Sequence, residues 1–114
     1  IITAVTQVLL RLLTLDQDLL SAVAAPRLHQ QWRPAATRFE GGWSPEVIGE
    51  LEARGHPVSV EPNASFASVQ AILVDYVSGV GVVSGRVEVA SDPRRGGVGG
   101  VQGRDLTVPA RPGQ

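Results

Sequence analysis

The chain has 114 residues, 43% of them hydrophobic, and its ten arginines and eleven acidic residues give a formal net charge of −1. This composition supports a packed core, and the near-neutral charge gives no electrostatic reason to expect a nucleic acid or an anionic membrane as partner. The absence of cysteine and lysine excludes disulfides, thiolate nucleophiles, cysteine-bound zinc and lysine Schiff bases.

The first 14 residues predict a helix, because their apolar side chains recur at helical spacing. These side chains form one stripe with a flank: Ile1, Val5, Val8, Leu12 and Leu15, widened by Ile2, Leu9 and Leu13. So broad an apolar face indicates a helix that is buried on more than one side, and the run is too short to span a bilayer. The chain opens in mid-helix and without an initiating Met, so we expect a piece of a longer polypeptide.

A second helix is predicted for "QDLLSAVAA". Asp16 is predicted to cap it, and Asp18 to complement the positive end of the helix. Pro26 ends the helix, because it has no N–H to donate and its ring clashes with the preceding turn.

A third helix, "SPEVIGELEARG", follows a short strand, "ATRFE", and a turn at Gly41-Gly42. Ser44 is predicted as its N-cap, Pro45 as its first residue and Gly55 as its left-handed end. Two further predictions concern its sides, namely an ion pair of Glu50 with Arg54 and an inward face of Val47, Ile48 and Leu51.

Beyond residue 56 the apolar period changes to two, which predicts strands in "HPVSVE", "ASVQAILVDYV", "GVGVV" and "GRVEVAS". Pro62-Asn63 marks one turn, and either Ser78-Gly79 or Ser84-Gly85 suits a hairpin. From Asp92 on, the chain is rich in Gly, Pro and Arg, which favours a mostly flexible tail. The order helix, helix, strand, helix, strands predicts an α+β fold.

No assembled active site is evident from the residues themselves. His29 and His56 stand apart and lack the further ligands that a metal site needs. Asp16 and Asp18 point to different helix faces and cannot act as a carboxylate pair. The glycines of "GGVGGVQG" lack both a following helix and a lysine, so they do not form a phosphate loop. We therefore expect no cofactor and no metal.

Five stretches, in order, resemble motifs of the γ-glutamyltransferase (γ-glutamyl transpeptidase) family. "IITAVTQVLLRLL" is similar to its I-I-T-x-V-x-Q-V-L helix, and "AVAAPRLHQQWRP" to its A-V-x-A-P-R-x-H-x-Q-W segment. "SPEVIGELEARGHPV" carries its L-x-x-x-G-H passage, while "VQAILV" and "ASDPRRGG" resemble its Q-x-I strand and A-x-D-P-R-x-x-G motif. The resemblance covers residues 1–97, the C-terminal part of the family's small subunit, and 98–114 form a Gly/Pro/Arg-rich extension.

The resemblance implies part of an N-terminal nucleophile hydrolase, a four-layer α-β-β-α sandwich. In that family a precursor cleaves itself, and the freed N-terminal Thr transfers or hydrolyses the γ-glutamyl group of glutathione and related amides. That Thr and the donor-binding residues lie upstream of Ile1, so no catalytic or binding residue is assigned here and the segment alone is expected to be inactive. The Gly-rich oxyanion stretch would immediately precede Ile1.

The implied partners are the upstream part of the same precursor, which comprises the large subunit and the nucleophile-bearing half of the small subunit, and a glutathione-like small molecule. A parent that follows the family is periplasmic or secreted, and a cytoplasmic location stays open. We expect structural roles for eight residues of these motifs: Pro26, Arg27, His29, Trp32, Gly55, Asp92, Pro93 and Arg94. In this view Arg27 bonds carbonyls or a carboxylate, Trp32 covers the edge of a layer, and Asp92 and Arg94 serve as turn and ion-pair residues.

Two alternatives stay open. Residues 75–86 are longer than the family's hairpin and "EPNASFASVQ" matches poorly, which leaves room for a related amidohydrolase of the cephalosporin-acylase kind. The other alternative is a non-catalytic remnant or interaction module that docks a partner or a second copy through its first helix and sheet edge.

Overall fold

The structure is a computed structural model that describes residues 1–79 and 82–100. It is an α+β arrangement, as the sequence predicted, with three helices and five strands among the described residues. The helices are α1 (Ile2–Leu13), α2 (Leu19–Ala24) and α3 (Pro45–Ala53). The strands are β1 (Leu28–His29), β2 (Thr37–Glu40), β3 (Val58–Glu61), β4 (Ala71–Gly79) and β5 (Val82–Ala90).

The strands form two separate sheets. In the first, the order is β1-β2-β3, with β1 antiparallel and β3 parallel to β2. The parallel pair requires a crossover, which α3 provides. The second sheet is the antiparallel pair β4-β5, in which Ala71 pairs with Ala90 and Gly79 with Val82.

The hairpin prediction was wrong at both candidate turns. Ser78-Gly79 lies within β4, and Ser84-Gly85 lies within β5, where Tyr76 pairs with Gly85. The stretches "GVGVV" and "GRVEVAS" were predicted as separate strands, but Val82 and Val83 of the first lie with most of the second in β5. Residues 80–81 of "GVGVV" lie outside the described residues. Continuous pairing along the nine-residue strands overrides the turn preference of a Ser-Gly dipeptide.

The second helix begins later than its predicted cap. Asp18, with an extended backbone, is the N-cap, and its Oδ1 accepts a hydrogen bond of 2.9 Å from the Ser21 N–H. Asp16 has a φ of 52°, a left-handed conformation that does not suit an N-cap. Helix α2 ends at Ala24, directly before the Ala25-Pro26 junction, as Pro26 predicted.

Helix α3 confirms the predictions that rest on its termini. The Ser44 hydroxyl accepts from the Glu46 N–H at 3.2 Å, Pro45 is the first residue, and Gly55 has a φ of 86°. Arg54 lies 3.4 Å from Glu50 as an exposed ion pair. The inward face is only partly formed: no residue of α3 is buried, and the exposed fraction of Val47 is 41%.

The core lies between the two N-terminal helices and the β4-β5 hairpin. Its buried members come from each of these elements and from the segment before β4: Ala4, Val8, Leu19, Ala22, Val23, Val69 and Ala90. Helix α1 is buried along one narrow face only, because Ile2 and Leu13 are 82% and 79% exposed. The broad buried face predicted for this helix is therefore wrong for the described residues. No helix in this part of the chain is long and apolar enough to cross a membrane.

Residues 91–100 carry no strand or helix, but they begin inside the core. Asp92 is fully buried and the Arg94 side chain is 12% exposed. The prediction of a flexible tail from Asp92 on is wrong for these two residues, since ion pairs hold them in place. Of the predicted extension 98–114, residues 101–114 lie outside the described residues.

Candidate functional site

Four charged side chains meet where the two sheets and α2 converge, and we call them the arginine–carboxylate cluster: Arg27, Glu40, Asp92 and Arg94. Arg27, Glu40 and Asp92 are 1%, 4% and 0% exposed. Charges so deeply buried destabilise a fold unless they are paired and fully hydrogen-bonded. The contacts of each member therefore decide what the cluster does.

Arg27 joins Asp92 to three backbone carbonyls. Its Nη2 lies 2.7 Å from Asp92 Oδ2 and donates to the Val23 carbonyl at 2.8 Å. Its Nη1 donates to the carbonyls of Phe66 and Ala67, both at 3.3 Å. Within the described part of the chain, the buried Arg27 Nε has no hydrogen-bond partner. The guanidinium thus links the last turn of α2 to the segment that precedes β4.

Glu40, the last residue of β2, accepts from two directions. The backbone N–H groups of Arg27 and Phe66 each donate to its carboxylate at 2.7 Å. Arg94 donates through Nε to Oε1 at 2.8 Å and through Nη2 to Oε2, which makes a bidentate pair. Such fork-to-carboxylate geometry is the strong form of the arginine ion pair.

Arg94 closes the cluster over the end of α2. It donates to the carbonyls of Ala25 and Val23 at 2.8 and 3.2 Å and reaches Asp92 Oδ1 at 3.2 Å. Asp92 also accepts from the backbone N–H of Val69 at 2.8 Å and of Arg94 at 3.0 Å. The side chains of Asp92 and Arg94 thereby bond backbone groups of α2, of the residue after it and of the segment before β4.

Both carboxylates are held ionised. Burial raises the pKa of Asp92, but hydrogen bonds from Val69, Arg94 and Arg27 outweigh it and bring that pKa down to about 2. Burial likewise raises the pKa of Glu40, yet hydrogen bonds from Arg94, Phe66 and Arg27 leave it below its ordinary value. The Glu40 carboxylate in turn raises the pKa of Arg94. Carboxylates so occupied are poorly suited to accept a substrate proton.

A second polar arrangement docks α1 onto the chain around β1, and we call it the polar seam: Thr3, Gln7 and Arg11 against residues 26–29. The Gln7 side chain donates to the Leu28 carbonyl at 2.8 Å and accepts from the Leu28 N–H at 3.0 Å. Arg11 Nη2 donates to the Pro26 carbonyl at 2.9 Å. Thr3 and residues four and eight positions later share one helix face, so the seam is continuous along α1.

The seam ends at the N-terminal turn of α1. There the Thr3 Oγ1 lies 2.8 Å from His29 Nδ1, and His29 Nε2 lies 3.1 Å from Gln31 Oε1. A cavity of about 200 Å³ lies beside this turn, lined by Ile1, Thr3, His29, Ser65, Phe66 and Ala67. Ile1 caps α1 without a side-chain hydrogen bond, and its carbonyl accepts from the Ala4 and Val5 N–H groups at 3.1 Å. The N–H groups of Ile2 and Thr3 precede the first of these bonds and have no partner within the helix.

The other residues singled out in the sequence lie apart from these two arrangements. Gly55 and Pro93 are exposed, and Gly55 ends α3. Trp32 is 82% exposed, with the Arg33 guanidinium 4.9 Å from its ring centre. Among the described residues, the expectation that Trp32 covers a layer edge is therefore wrong, because the ring faces solvent. His56 is exposed, and the described residues hold no group of three or more potential metal ligands.

Sequence reasoning missed Glu40 and the polar seam. Glu40 appeared only as the end of a predicted strand, although a carboxylate between Phe39 and Gly41 stands next to an apolar position and a tight turn. The signal for the seam was the spacing of Thr3, Gln7 and Arg11, which interrupts the apolar run at every fourth residue.

Comparison with known proteins finds the same family that the five sequence motifs resemble. Residues 1–101 match the sequence model of the family described as Gamma-glutamyltranspeptidase. A glutathione hydrolase proenzyme of Escherichia coli (strain K12) is 35% identical over 94 residues, which are 82% of this chain and 15% of that protein. The chain thus spans a small part of the length of this relative.

Two solved structures share the fold. A mutant gamma-glutamyltranspeptidase of Helicobacter pylori superposes with a TM-score of 0.72 and 30% identity, covering 83% of this chain and 48% of that one. The gamma-glutamyltranspeptidase of Pseudomonas nitroreducens gives a TM-score of 0.70 and 31% identity, covering 90% and 50%. The family match over most of the chain confirms the resemblance, and the chain belongs to the gamma-glutamyltranspeptidase family.

Proposed function

We propose that this chain is the C-terminal structural segment of an enzyme that transfers or hydrolyses the γ-glutamyl group of glutathione and related amides. The observation that carries the proposal is the family match over residues 1–101. The related proteins are proenzymes of which the matched region is a small part, so the reacting groups are assigned to the rest of the parent polypeptide. That remainder and a glutathione-like substrate are the partners of this segment.

In the proposed reaction, the hydroxyl of an N-terminal Thr upstream of Ile1 attacks the carbonyl of the γ-glutamyl amide. The α-amino group of the same Thr takes the hydroxyl proton as the C–O bond forms and the carbonyl oxygen becomes an oxyanion. Collapse then breaks the C–N bond, and the amine leaves with that proton. Water or an acceptor amine takes the acyl group in the second half. None of these steps needs a side chain of the arginine–carboxylate cluster.

The segment's own contribution is a scaffold within an α-β-β-α sandwich. Helix α2 packs on the β4-β5 hairpin and α1 packs on α2 and β1, which is compatible with one helical layer on one sheet. Residues 1–97 are assigned to this scaffold and 98–114 to an extension. The arginine–carboxylate cluster fixes the end of α2, the end of β2 and the segment before β4 in one arrangement.

The N-terminal turn of α1 is the part of the scaffold nearest to the proposed chemistry. If the oxyanion loop leads into this helix, the free N–H groups near Ile1, Ile2 and Thr3 and the positive helix end add favourable potential close to the developing oxyanion. This contribution is electrostatic and requires no proton transfer by the segment.

Turnover of γ-glutamyl-p-nitroanilide by the full-length gene product tests the proposed function. We expect release of p-nitroaniline by the full-length protein and none by the purified segment alone. Turnover by the segment alone would overturn the scaffold role. A folded full-length protein that cleaves a cephalosporin side-chain amide but no γ-glutamyl amide would favour the related amidohydrolase, and one that cleaves neither would favour a docking module.

A further inference from the structure

A chain of side-chain hydrogen bonds holds the first turn of α1. It runs from the Thr3 hydroxyl through the His29 ring to the Gln31 amide, with contacts of 2.8 and 3.1 Å. We infer that His29 is a positioning residue for acylation, because it fixes through Thr3 the turn that borders the proposed oxyanion. The inference rests on the proposed function and deepens it.

The hydrogen-bond partners define which ring nitrogen donates to Gln31. The Gln31 Oε1 can only accept, so His29 Nε2 carries the proton and donates. In the neutral ring the Nδ1 is then an acceptor, and the Thr3 hydroxyl donates to it. With both ring nitrogens bonded in this way, His29 links the first turn of α1 to the loop after β1.

Two further contacts connect His29 and the first turns of α1 to the rest of the structure. The His29 ring lies against the Phe66 ring, with 6.2 Å between the ring centres and an interplanar angle of 51°. The backbone N–H of Phe66 is bonded to Glu40, so His29 connects the α1 turn with the arginine–carboxylate cluster. Gln7 fixes the next turn of α1 to Leu28 independently. Gln7 also donates to the Thr3 carbonyl at 2.8 Å. Loss of the Thr3–His29 bond therefore loosens the first turn of α1 and leaves the helix docked.

This arrangement predicts an effect on the chemical step without an effect on donor binding. Small displacements of preorganised donors reduce the stabilisation of a transition state, whereas His29 makes no proposed contact with the ground-state substrate. We expect Thr3→Val and His29→Phe each to lower kcat by about tenfold in the full-length protein, with KM changed less than about twofold.

The experiment measures kcat and KM for γ-glutamyl-p-nitroanilide, normalised to the fraction of protein that has cleaved itself. His29→Asn places an amide oxygen near the position of Nδ1, and we expect it to keep kcat within about threefold of wild type. His29→Gln keeps a polar group near Nε2 only, and we expect it to behave like His29→Phe. The double variant of Thr3→Val with His29→Phe should be no slower than either single variant, because both remove the same bond. Glu50→Gln, on the exposed side of α3, is the matched control.

Several results would overturn the inference. They are an unchanged kcat in both single variants, a rise in KM alone, equal losses in His29→Asn and His29→Phe, or losses that multiply in the double variant. If His29→Phe does not fold, Thr3→Val against Thr3→Ser carries the same test, since serine keeps the hydroxyl. A folded wild type without γ-glutamyl turnover would overturn the proposed function and the inference together, whereas an active wild type with unaffected variants overturns the inference alone.

Discussion

The guanidinium of Arg27 lies 2.7 Å from the carboxylate of Asp92, and the two side chains are 1% and 0% exposed. Arg27 follows the end of α2, whereas Asp92 follows the last described strand, so this pair ties the N-terminal helices to the C-terminal end of the core. Burial of both charges is tolerated because they pair with each other and because backbone carbonyls and N–H groups bond both Arg27 Nη atoms and both Asp92 oxygens.

Replacement of Arg27 is expected to destabilise the protein strongly. Arg27→Met removes the cation nearest to Asp92, which keeps Arg94 at 3.2 Å, and takes the side-chain donor from the Phe66 and Ala67 carbonyls. It should lower the free energy of unfolding by about 3 to 5 kcal/mol. Arg27→Lys keeps the charge but lacks the planar fork, so its loss should be intermediate. Urea unfolding of the full-length protein measures both variants. Arg54→Met, on the exposed face of α3, is the control and should leave stability nearly unchanged; equal losses at Arg54 and Arg27 would contradict the assignment.

Acid should remove the contribution of Asp92. Its pKa is about 2 in the folded protein and near 3.8 in an unfolded chain. A carboxyl with a depressed folded-state pKa stabilises fully above the unfolded value, and its contribution is lost as the pH falls through the folded value. The shift corresponds to about 2 kcal/mol above pH 5. The difference in melting temperature between wild type and Asp92→Asn should therefore be large at neutral pH and shrink between pH 4 and pH 2. A difference that stays constant over this window would show that Asp92 is not ionised in the fold.

Replacement of Gly41 and of Gly49 by alanine should change the free energy of unfolding in opposite directions. A Cβ at Gly41 would lie 2.9 Å from the Pro62 carbonyl oxygen, a backbone atom that cannot rotate away, whereas a Cβ at Gly49 in α3 meets nothing within 4 Å. Gly41→Ala should lower the free energy of unfolding by about 1 to 3 kcal/mol. Gly49→Ala should raise it by about 0.5 to 1 kcal/mol, since alanine favours the helix. Urea unfolding of both variants is the measurement, and a neutral Gly41→Ala would mean that the β2-α3 turn and the Pro62 turn do not touch.

The elements that the sequence predicted well are those set by local chemistry. Ser44, Pro45 and Gly55 define α3 through groups within one turn of each end, and Pro26 ends α2 by its own geometry. The hairpin reversal depends on the pairing of whole strands, which no dipeptide encodes, and both Ser-Gly candidates were wrong for that reason.

The orientation of α1 was wrong for a related reason. Apolar periodicity placed Ile1, Val5, Val8, Leu12 and Leu15 inward. Val8 and Leu12 do lie in or against the core, but Ile1, Val5 and Leu15 are exposed. The hydrogen bonds of Gln7 and Arg11 to the chain around β1 rotate the helix away from these three residues. Polar side chains that satisfy backbone groups outweigh a weak difference between two apolar faces. The burial of Glu40 likewise depends on a distant residue, because the guanidinium that pairs with it belongs to Arg94.

A carboxylate placed at Thr3 tests the proposed electrostatic role of the α1 N-terminus, because it should stabilise the helix and slow acylation. A carboxylate in the first turn stabilises a helix, because it complements the positive end. The same carboxylate opposes a negative charge that develops nearby. Thr3→Asp should therefore leave the melting temperature of the full-length protein equal to or above that of Thr3→Asn, its neutral isostere, while it acylates more slowly. A single-turnover measurement of p-nitroaniline release, normalised to the cleaved fraction, compares the two variants. Thr6→Asp, one turn later on an exposed side of α1, should show a smaller effect. Equal acylation rates for Thr3→Asp and Thr3→Asn would place the developing oxyanion beyond the reach of this helix end.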